Sequence, residues 1–346
     1  MSNRNQVTLL PPLAVPHAAE RRAALRLLAI TAASWFSISG SARAATPSSA
    51  APALPQLRVG YQKSSFTLVL ARALNLLEKH LPGTTISWIE FPAGPQLLEA
   101  LAVGSLDFGV TGDSPPVFAQ AAGKDLLYVG AEPPKPTTSA LLVKPDAPIR
   151  TLADLKGRRI ALQKGSSAHF LTVQAVKKAG LQWSDIQPVY LAPADARAAF
   201  ERGAVDAWAI WDPYFAAAEV DGQVRVLANG EKLSSNNSFY LASRALARNE
   251  PALRAIFAAL TESDAYLQSH KREAAERFSQ VTGLGLATVL RVLDRRPPAP
   301  VGPLTQALQE DQQQVADAFA QLGLIPRPLR VADIVWRPGQ TVTALR

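Results

Sequence analysis

The residues best suited to chemistry sit in two short stretches, "YQKSS" (Tyr61 to Ser65) and "LQKGSSAH" (Leu162 to His169). Each follows an apolar run and precedes an amphipathic one, so each reads as a loop between a buried strand and a helix. Such a loop presents unpaired backbone N–H groups, serine hydroxyls and the positive end of a helix dipole, a combination that favours an anion. The serines equally suit a helix cap, and the two uses are compatible. A second pair of stretches, "GSLDFGVTGD" (Gly104 to Asp113) and "GAVDAWAIWD" (Gly203 to Asp212), shares its glycine-to-aspartate steps. Gln62 and Gln163 stand 101 positions apart, and the second pair is offset by 99. Two matches in one order at nearly one offset point to two similar lobes, or else to a common way of ending a strand at a helix.

Other chemistries find little support. The chain has no cysteine, which removes thiol catalysis, disulfides and cysteine metal sites. Its four histidines, at 17, 80, 169 and 270, form no metal-ligand pair at helical spacing. Ser166, His169 and Asp195 can be written as a hydrolase triad, but no GxSxG elbow surrounds the serine, and serine and histidine would share one helical turn. "TGLGLAT" at 282 to 288 lacks the third glycine and the preceding strand of a dinucleotide fingerprint. No catalytic residue, metal or cofactor is expected.

The elements that must position the two loops follow a βαβα order. "LRVGY", a helix at 66 to 80, "TISWIEF", a helix at 95 to 103, "LDFGVTG", a helix at 115 to 122 and "LLYVGA" make a first series. "RRIALQ", a helix at 168 to 179, "IQPVYL", a helix at 193 to 201, "VDAWAIWD" and a helix at 213 to 219 make a second. Ligands of open α/β sheets sit beyond the carboxyl ends of the strands, where all four matched loops lie. Two such lobes facing one another would grip a ligand between them. The chain then returns through a strand in "NNSFYLASRAL" and helices at 250 to 268, 271 to 281, 285 to 293 and 303 to 322, expected to pack on the first lobe.

At 346 residues, 48% hydrophobic and 18% charged, the chain is long enough for two cores. The net charge of +8 suggests nucleic acid only until its distribution is read: residues 1 to 45 hold five arginines against one glutamate, half of the excess. Arg21, Arg22 and Arg26 precede "LLAITAASWFSISG" and then "ARAA", the layout of a signal peptide cleaved near Ala44. The paired arginines leave the twin-arginine and general export routes both open. No later stretch is apolar for long enough to span a membrane. Without a cysteine for lipid attachment, a freely diffusing periplasmic protein is expected.

Several stretches resemble the aliphatic sulfonate-binding proteins of ABC importers: "EFPAGPQLLEAL", "GSLDFGVTGDSPPVFAQAAG", "EPPKP", "ADLKGRRIALQKGSSAH", "PADARAAF", "AIWDPYFAA" and "DRRPP". The resemblance runs from residue 57 to about 340 and implies the two-lobed type II periplasmic-binding fold. With the leader and linker read from the N-terminal residues, the chain divides into a signal peptide at 1–44, a linker at 45–56, lobe I at 57–140 with 240–346, and lobe II at 141–239. The resemblance implies a monomer that binds an aliphatic sulfonate for sulfur supply and delivers it to membrane permease subunits driven by a cytoplasmic ATPase. Relatives taking taurine, nitrate or sulfate esters remain alternatives.

A sulfonate is ionised at every physiological pH and only accepts hydrogen bonds, so its site should be rich in donors. Gly165, Ser166 and Ser167 fit from one lobe, and Gln62, Ser64, Ser65, Thr111 and Gly112 from the other. His169 and Trp211 are expected beside the organic tail, with Tyr61, Phe66, Trp208 and Tyr214 as further walls or core rings. Asp212 is placed in the site as an acceptor or as a cap of the helix after it, and Asp113 has the same choice. Lys63 and Lys164 either touch the anion or face solvent. Glu132, before a proline-rich turn expected to lead to the hinge, reads as structural, with ligand contact as the alternative. Ala168 stands where relatives often carry a third serine.

Overall fold

Residues 54–339 are described by a computed structural model. The signal peptide read at residues 1–44 and most of the linker lie outside the described residues. The apolar runs form ten strands: β1 (Gln56–Tyr61), β2 (Thr85–Glu90), β3 (Phe108–Gly112), β4 (Leu127–Glu132), β5 (Ser139–Val143), β6 (Arg159–Leu162), β7 (Gln187–Tyr190), β8 (Ala207–Trp211), β9 (Arg225–Asn229) and β10 (Ser238–Ala242). They make two five-stranded sheets, ordered β2-β1-β3-β10-β4 and β7-β6-β8-β5-β9. β1 lies parallel between β2 and β3, as β6 lies between β7 and β8. In each sheet one antiparallel strand, β10 or β5, is contributed by chain crossing from the other side. β4, β5 and β8 are buried throughout and are predominantly apolar, as strands covered on both faces are. β5 and β9 are strands that periodicity did not separate from their surroundings.

Among the described residues twelve α-helices cover the sheets: α1 (Phe66–Ala73), α2 (Leu76–His80), α3 (Gly94–Ala102), α4 (Ser114–Ala121), α5 (Ser167–Lys178), α6 (Pro193–Glu201), α7 (Tyr214–Val220), α8 (Arg244–Ala247), α9 (Glu250–Ser269), α10 (Lys271–Thr282), α11 (Leu286–Arg295) and α12 (Gln306–Gln321). The helix expected at 66 to 80 is two helices, broken where Asn75 takes φ 51°, a left-handed conformation that asparagine tolerates better than most residues. Two hydrophobic cores result. The first gathers around Phe66, Phe108, Tyr128 and Tyr240, and the second around Trp208, Phe200 and Leu142.

The C-terminal helices depart from the expectation that all return to the first lobe. α9 and α10 pack on α1, but α11 also packs on α7 and α12 on both α4 and α5. They therefore tie the two sheets together. The two chain crossings are tied as well: the Lys135 N–H donates to Ser235 at 2.8 Å, the Gly230 N–H to Pro136 at 3.0 Å, and the Asn236 side chain to Thr138 Oγ1 at 2.8 Å.

Candidate ligand-binding cleft

The repeat seen in the sequence is a repeated scaffold in space. Asp107 accepts the Arg58 backbone N–H at 2.8 Å and the Arg58 guanidinium at 2.9 and 2.7 Å. Asp206 accepts the same three donors from Arg159 at 2.8, 3.2 and 3.1 Å. Each aspartate thus clamps the start of its own strand to the start of its parallel neighbour, which sets the register at which the other ends of the two strands meet. Those carboxyl ends converge. A cavity of about 60 Å³ is lined from both sheets by Gln62, Ser64, Ser65, Thr111, Gly112, Ser166, Ser167, Trp211 and Asp212.

The first jaw is Tyr61 to Ser65. The Ser65 N–H donates to Gln62 O at 2.9 Å, and the Gln62 side chain donates to Val110 O at 3.0 Å, which turns the loop and ties it to β3. The second jaw is Gln163 to Ser167. Its turn needs Gly165 at φ 73°, where a side chain would be strained and would meet the Phe118 ring at 3.3 Å. Ser166 donates to Gln163 O twice, through N–H at 3.2 Å and hydroxyl at 2.7 Å. α1 and α5 begin at these jaws, so their amino-terminal N–H groups and dipoles point toward the cavity.

The jaws meet at Gly112. A methyl group there would come within 2.0 Å of Ser167 Oγ, so only a glycine lets the second jaw sit against β3 in this conformation. Ser167 also hydrogen-bonds the Asp113 carboxyl, which accepts the Ser114 hydroxyl at 2.9 Å. Burial pushes the Asp113 carboxyl up, against those hydrogen bonds. Asp113 occupies the cap position of α4 without making a capping bond, whereas Asp212 accepts the Ala216 N–H at 3.0 Å in the first turn of α7.

Two of the expected residues are placed elsewhere. Gly165 shapes the loop but does not line the cavity, and His169 points away from it. The His169 ring is fully buried between Trp183, Tyr190, Phe118 and Phe319, with ring centres 5.3, 5.6, 6.1 and 5.1 Å away. Its Nδ1 accepts the Gly165 N–H at 3.2 Å, and burial, with Lys164 next, pushes it down to about 3. The imidazole is a neutral brace for the loop rather than a wall for a tail. Lys63 pairs with Glu90 at 3.7 Å and Lys164 sits over the Tyr190 ring at 5.7 Å, so neither lines the cavity. Of the candidate tail contacts, Trp211 and Phe66 line it. Tyr214 stands edge-on behind Trp211 at 6.2 Å, while Tyr61 packs on Trp88 and Trp208 on Phe200.

Sequence reasoning missed a charged floor. Glu132, Lys135 and Arg296 line the cavity as a buried ion triad, with Lys135 Nζ and Arg296 each 3.0 Å from Glu132 Oε2 and the Tyr240 hydroxyl donating to Oε1 at 2.9 Å. Burial alone would raise the Glu132 carboxyl, but Lys135 and Arg296 outweigh it and hold the group down at about 2. The adjacent arginine turns the other way. Arg295 lies 3.3 Å from Asp212, pairs with Glu219 and stacks on the Phe215 ring at 3.8 Å. Burial still pushes the Asp212 carboxyl up to about 7, with Arg295 only partly opposing. "EPPKP" and "DRRPP" were both visible in the sequence, but Glu132 and Arg296 are 164 positions apart and no local spacing joins them.

A cleft between two α/β lobes, fed by strand ends from both sheets and hinged by two crossings, defines a solute-binding protein of the type II periplasmic-binding fold. Residues 88–274 match the NMT1/THI5-like family, and the chain belongs to it, grouping there with the aliphatic sulfonate-binding proteins. It is 48% identical over 307 residues to an aliphatic sulfonates-binding protein of Escherichia coli K12, covering 88% of this chain and 96% of that one. The solved alkanesulfonate-binding protein SsuA of Xanthomonas axonopodis pv. citri, bound to MOPS, superposes with a TM-score of 0.79 at 51% identity, covering 82% of this chain and 98% of that one. The periplasmic aliphatic sulphonate-binding protein SsuA of Escherichia coli gives a TM-score of 0.77 at 49% identity, covering 84% and 95%.

Proposed function

We propose that this protein is the periplasmic substrate-binding component of an ABC importer of aliphatic sulfonates, and that it acts by binding and release rather than by turnover. The observation that carries the reading is the small donor-rich cavity closed between the two sheets, in a chain about half identical to alkanesulfonate-binding proteins. Gln62, Ser64, Ser65, Thr111, Gly112, Ser166 and Ser167 surround the sulfonate oxygens, chiefly with backbone N–H groups, the Ser64 and Ser65 hydroxyls and helix N-termini. Trp211 and Phe66 hold the organic part, with Asp212 also on the wall. Each neutral hydrogen bond contributes about 1 kcal/mol net, so several must act together to reach micromolar affinity, about −8 kcal/mol.

The two jaws belong to lobe I (57–140 with 240–346) and lobe II (141–239). Ligand closes them, and the closed form docks on membrane permease subunits whose ATPase drives import. No helix among the described residues is long and apolar enough to cross a membrane, in keeping with delivery to a separate permease. Export uses the leader ending near Ala44. Calorimetry with methanesulfonate, ethanesulfonate, taurine, nitrate and sulfate tests the assignment. An alkanesulfonate should bind at least about tenfold more tightly than sulfate, a difference of roughly 1.4 kcal/mol. Sulfate binding as tightly as any sulfonate would overturn it.

A further inference from the structure

The Glu132–Lys135–Arg296 triad has a composition that structural pairing does not explain. Two cations flank one carboxylate, and the side chains of all three are at least nine-tenths buried: 3% exposed for Glu132, 4% for Lys135 and 6% for Arg296. Both Glu132 oxygens are already occupied, one by the Tyr240 hydroxyl and the other by the two cations. Lys135 gives a further N–H to Pro133 O at 3.3 Å. Arg296 gives one terminal nitrogen to Glu132 and leans its guanidinium on the Phe66 ring at 5.5 Å. A guanidinium has five N–H donors and an ammonium three, so both keep donors beyond those the carboxylate takes. The cavity is the space they border. Buried N–H donors of two cations bordering a cavity call for an acceptor from the ligand.

We infer that Lys135 and Arg296 form a second polar subsite that receives an oxygen acceptor at the end of the ligand remote from the sulfonate. This rests on the sulfonate reading above and deepens it: the preferred ligands are short sulfonates bearing a hydroxyl, ether or carboxylate oxygen rather than plain alkanesulfonates. The placement follows from chemistry already in the cleft. The hydroxyl and amide donors of the two jaws suit a group that is anionic at every pH, and Glu132 makes the floor a poorer seat for that full charge while leaving N–H groups for a further oxygen.

The test compares ethanesulfonate, 2-hydroxyethanesulfonate, sulfoacetate and taurine by calorimetry on the full mature chain. The two oxygen-bearing ligands should bind about tenfold more tightly than ethanesulfonate, the scale of one hydrogen bond to a charged group. Taurine, which ends in an ammonium, should bind no better than ethanesulfonate. Lys135→Met should bring the affinity ratio of sulfoacetate to ethanesulfonate to within about twofold, with a thermal melt reporting that the variant folds. Glu132→Gln keeps the shape of the floor and removes its only carboxylate, so the same ratio should widen, more for sulfoacetate than for the hydroxy compound. Equal affinities in the unaltered protein, taurine binding tightest, or a ratio unmoved in the folded variants would overturn the subsite. Failure of ethanesulfonate itself to bind would instead overturn the sulfonate reading.

Discussion

The two lobes share a frame and differ in what the frame presents. Arg58 with Asp107 and Arg159 with Asp206 make the same clamp on corresponding strands, and β1 and β6 each run parallel to both of their neighbours. At the strand ends the likeness stops. Ninety-nine positions after Gly112, which has no side chain and lets Ser167 against the backbone, stands Trp211 with a ring on the cavity wall. At these matched strand ends the first lobe offers bare backbone and the second an aromatic face. A ligand whose two ends differ in chemistry is matched by that asymmetry, whereas a symmetrical oxyanion is not. Repetition supplies the clamp, and departure from it supplies the selectivity.

The largest effect should come from erasing the difference at the glycine. Gly112→Val fills the space that Ser167 Oγ occupies and should lower sulfonate affinity about a hundredfold by calorimetry, because two packed jaws cannot both yield. Trp211→Ala removes the opposing wall and should cost about tenfold, falling mainly on ligands with longer tails. An equal loss for methanesulfonate would show that the ring does not serve the tail. Asp107→Asn and Asp206→Asn test the shared frame. Each weakens the clamp of its own lobe and should lower stability in urea by about 1 to 2 kcal/mol, similarly in both.

The slightest effect at any single neutral pH, visible only across a titration, is a divergence with pH. Asp212, pushed up to about 7 by burial, keeps its proton in the folded protein at pH values where the unfolded chain, at 3.8, has lost it. Its contribution to stability therefore falls as pH rises from about 4 to 7. Glu132 is held at about 2, against 4.5 unfolded, so its contribution is complete above pH 4.5 and is lost as pH falls toward 2. Each slope is at most about 1.4 kcal/mol per pH unit. Asp212→Asn should flatten the upper window and Glu132→Gln the lower one in pH-dependent melts. The reverse assignment would break the contrast between the two carboxylates.

Much of this was legible in the sequence because it is local. The four matched stretches announce strand ends, and a strand end followed by small polar residues and a helix is an anion cradle wherever it occurs. Asn75 splitting one helix was less visible, since it is one residue's tolerance of a left-handed turn. His169 misled for a different reason. It sits three residues past the serines, but on a helix that spacing turns it into an aromatic cluster assembled from distant segments, with Phe319 150 positions away. The floor of the cleft was hidden by the same kind of distance. Lys135 comes from one crossing and Arg296 from the end of α11, and only tertiary packing brings them to one carboxylate. The opposite turns of Arg295 and Arg296 had no signature beyond the doubled letter.

The account turns on which way round the ligand sits, and a crystal structure with ethanesulfonate bound tests that directly. The sulfonate oxygens are expected among Ser64, Ser65, Ser166, Ser167 and the Gly112 backbone, with the ethyl group against Trp211. A sulfonate seated on Lys135 and Arg296, with its carbon chain toward the serines, would contradict the account.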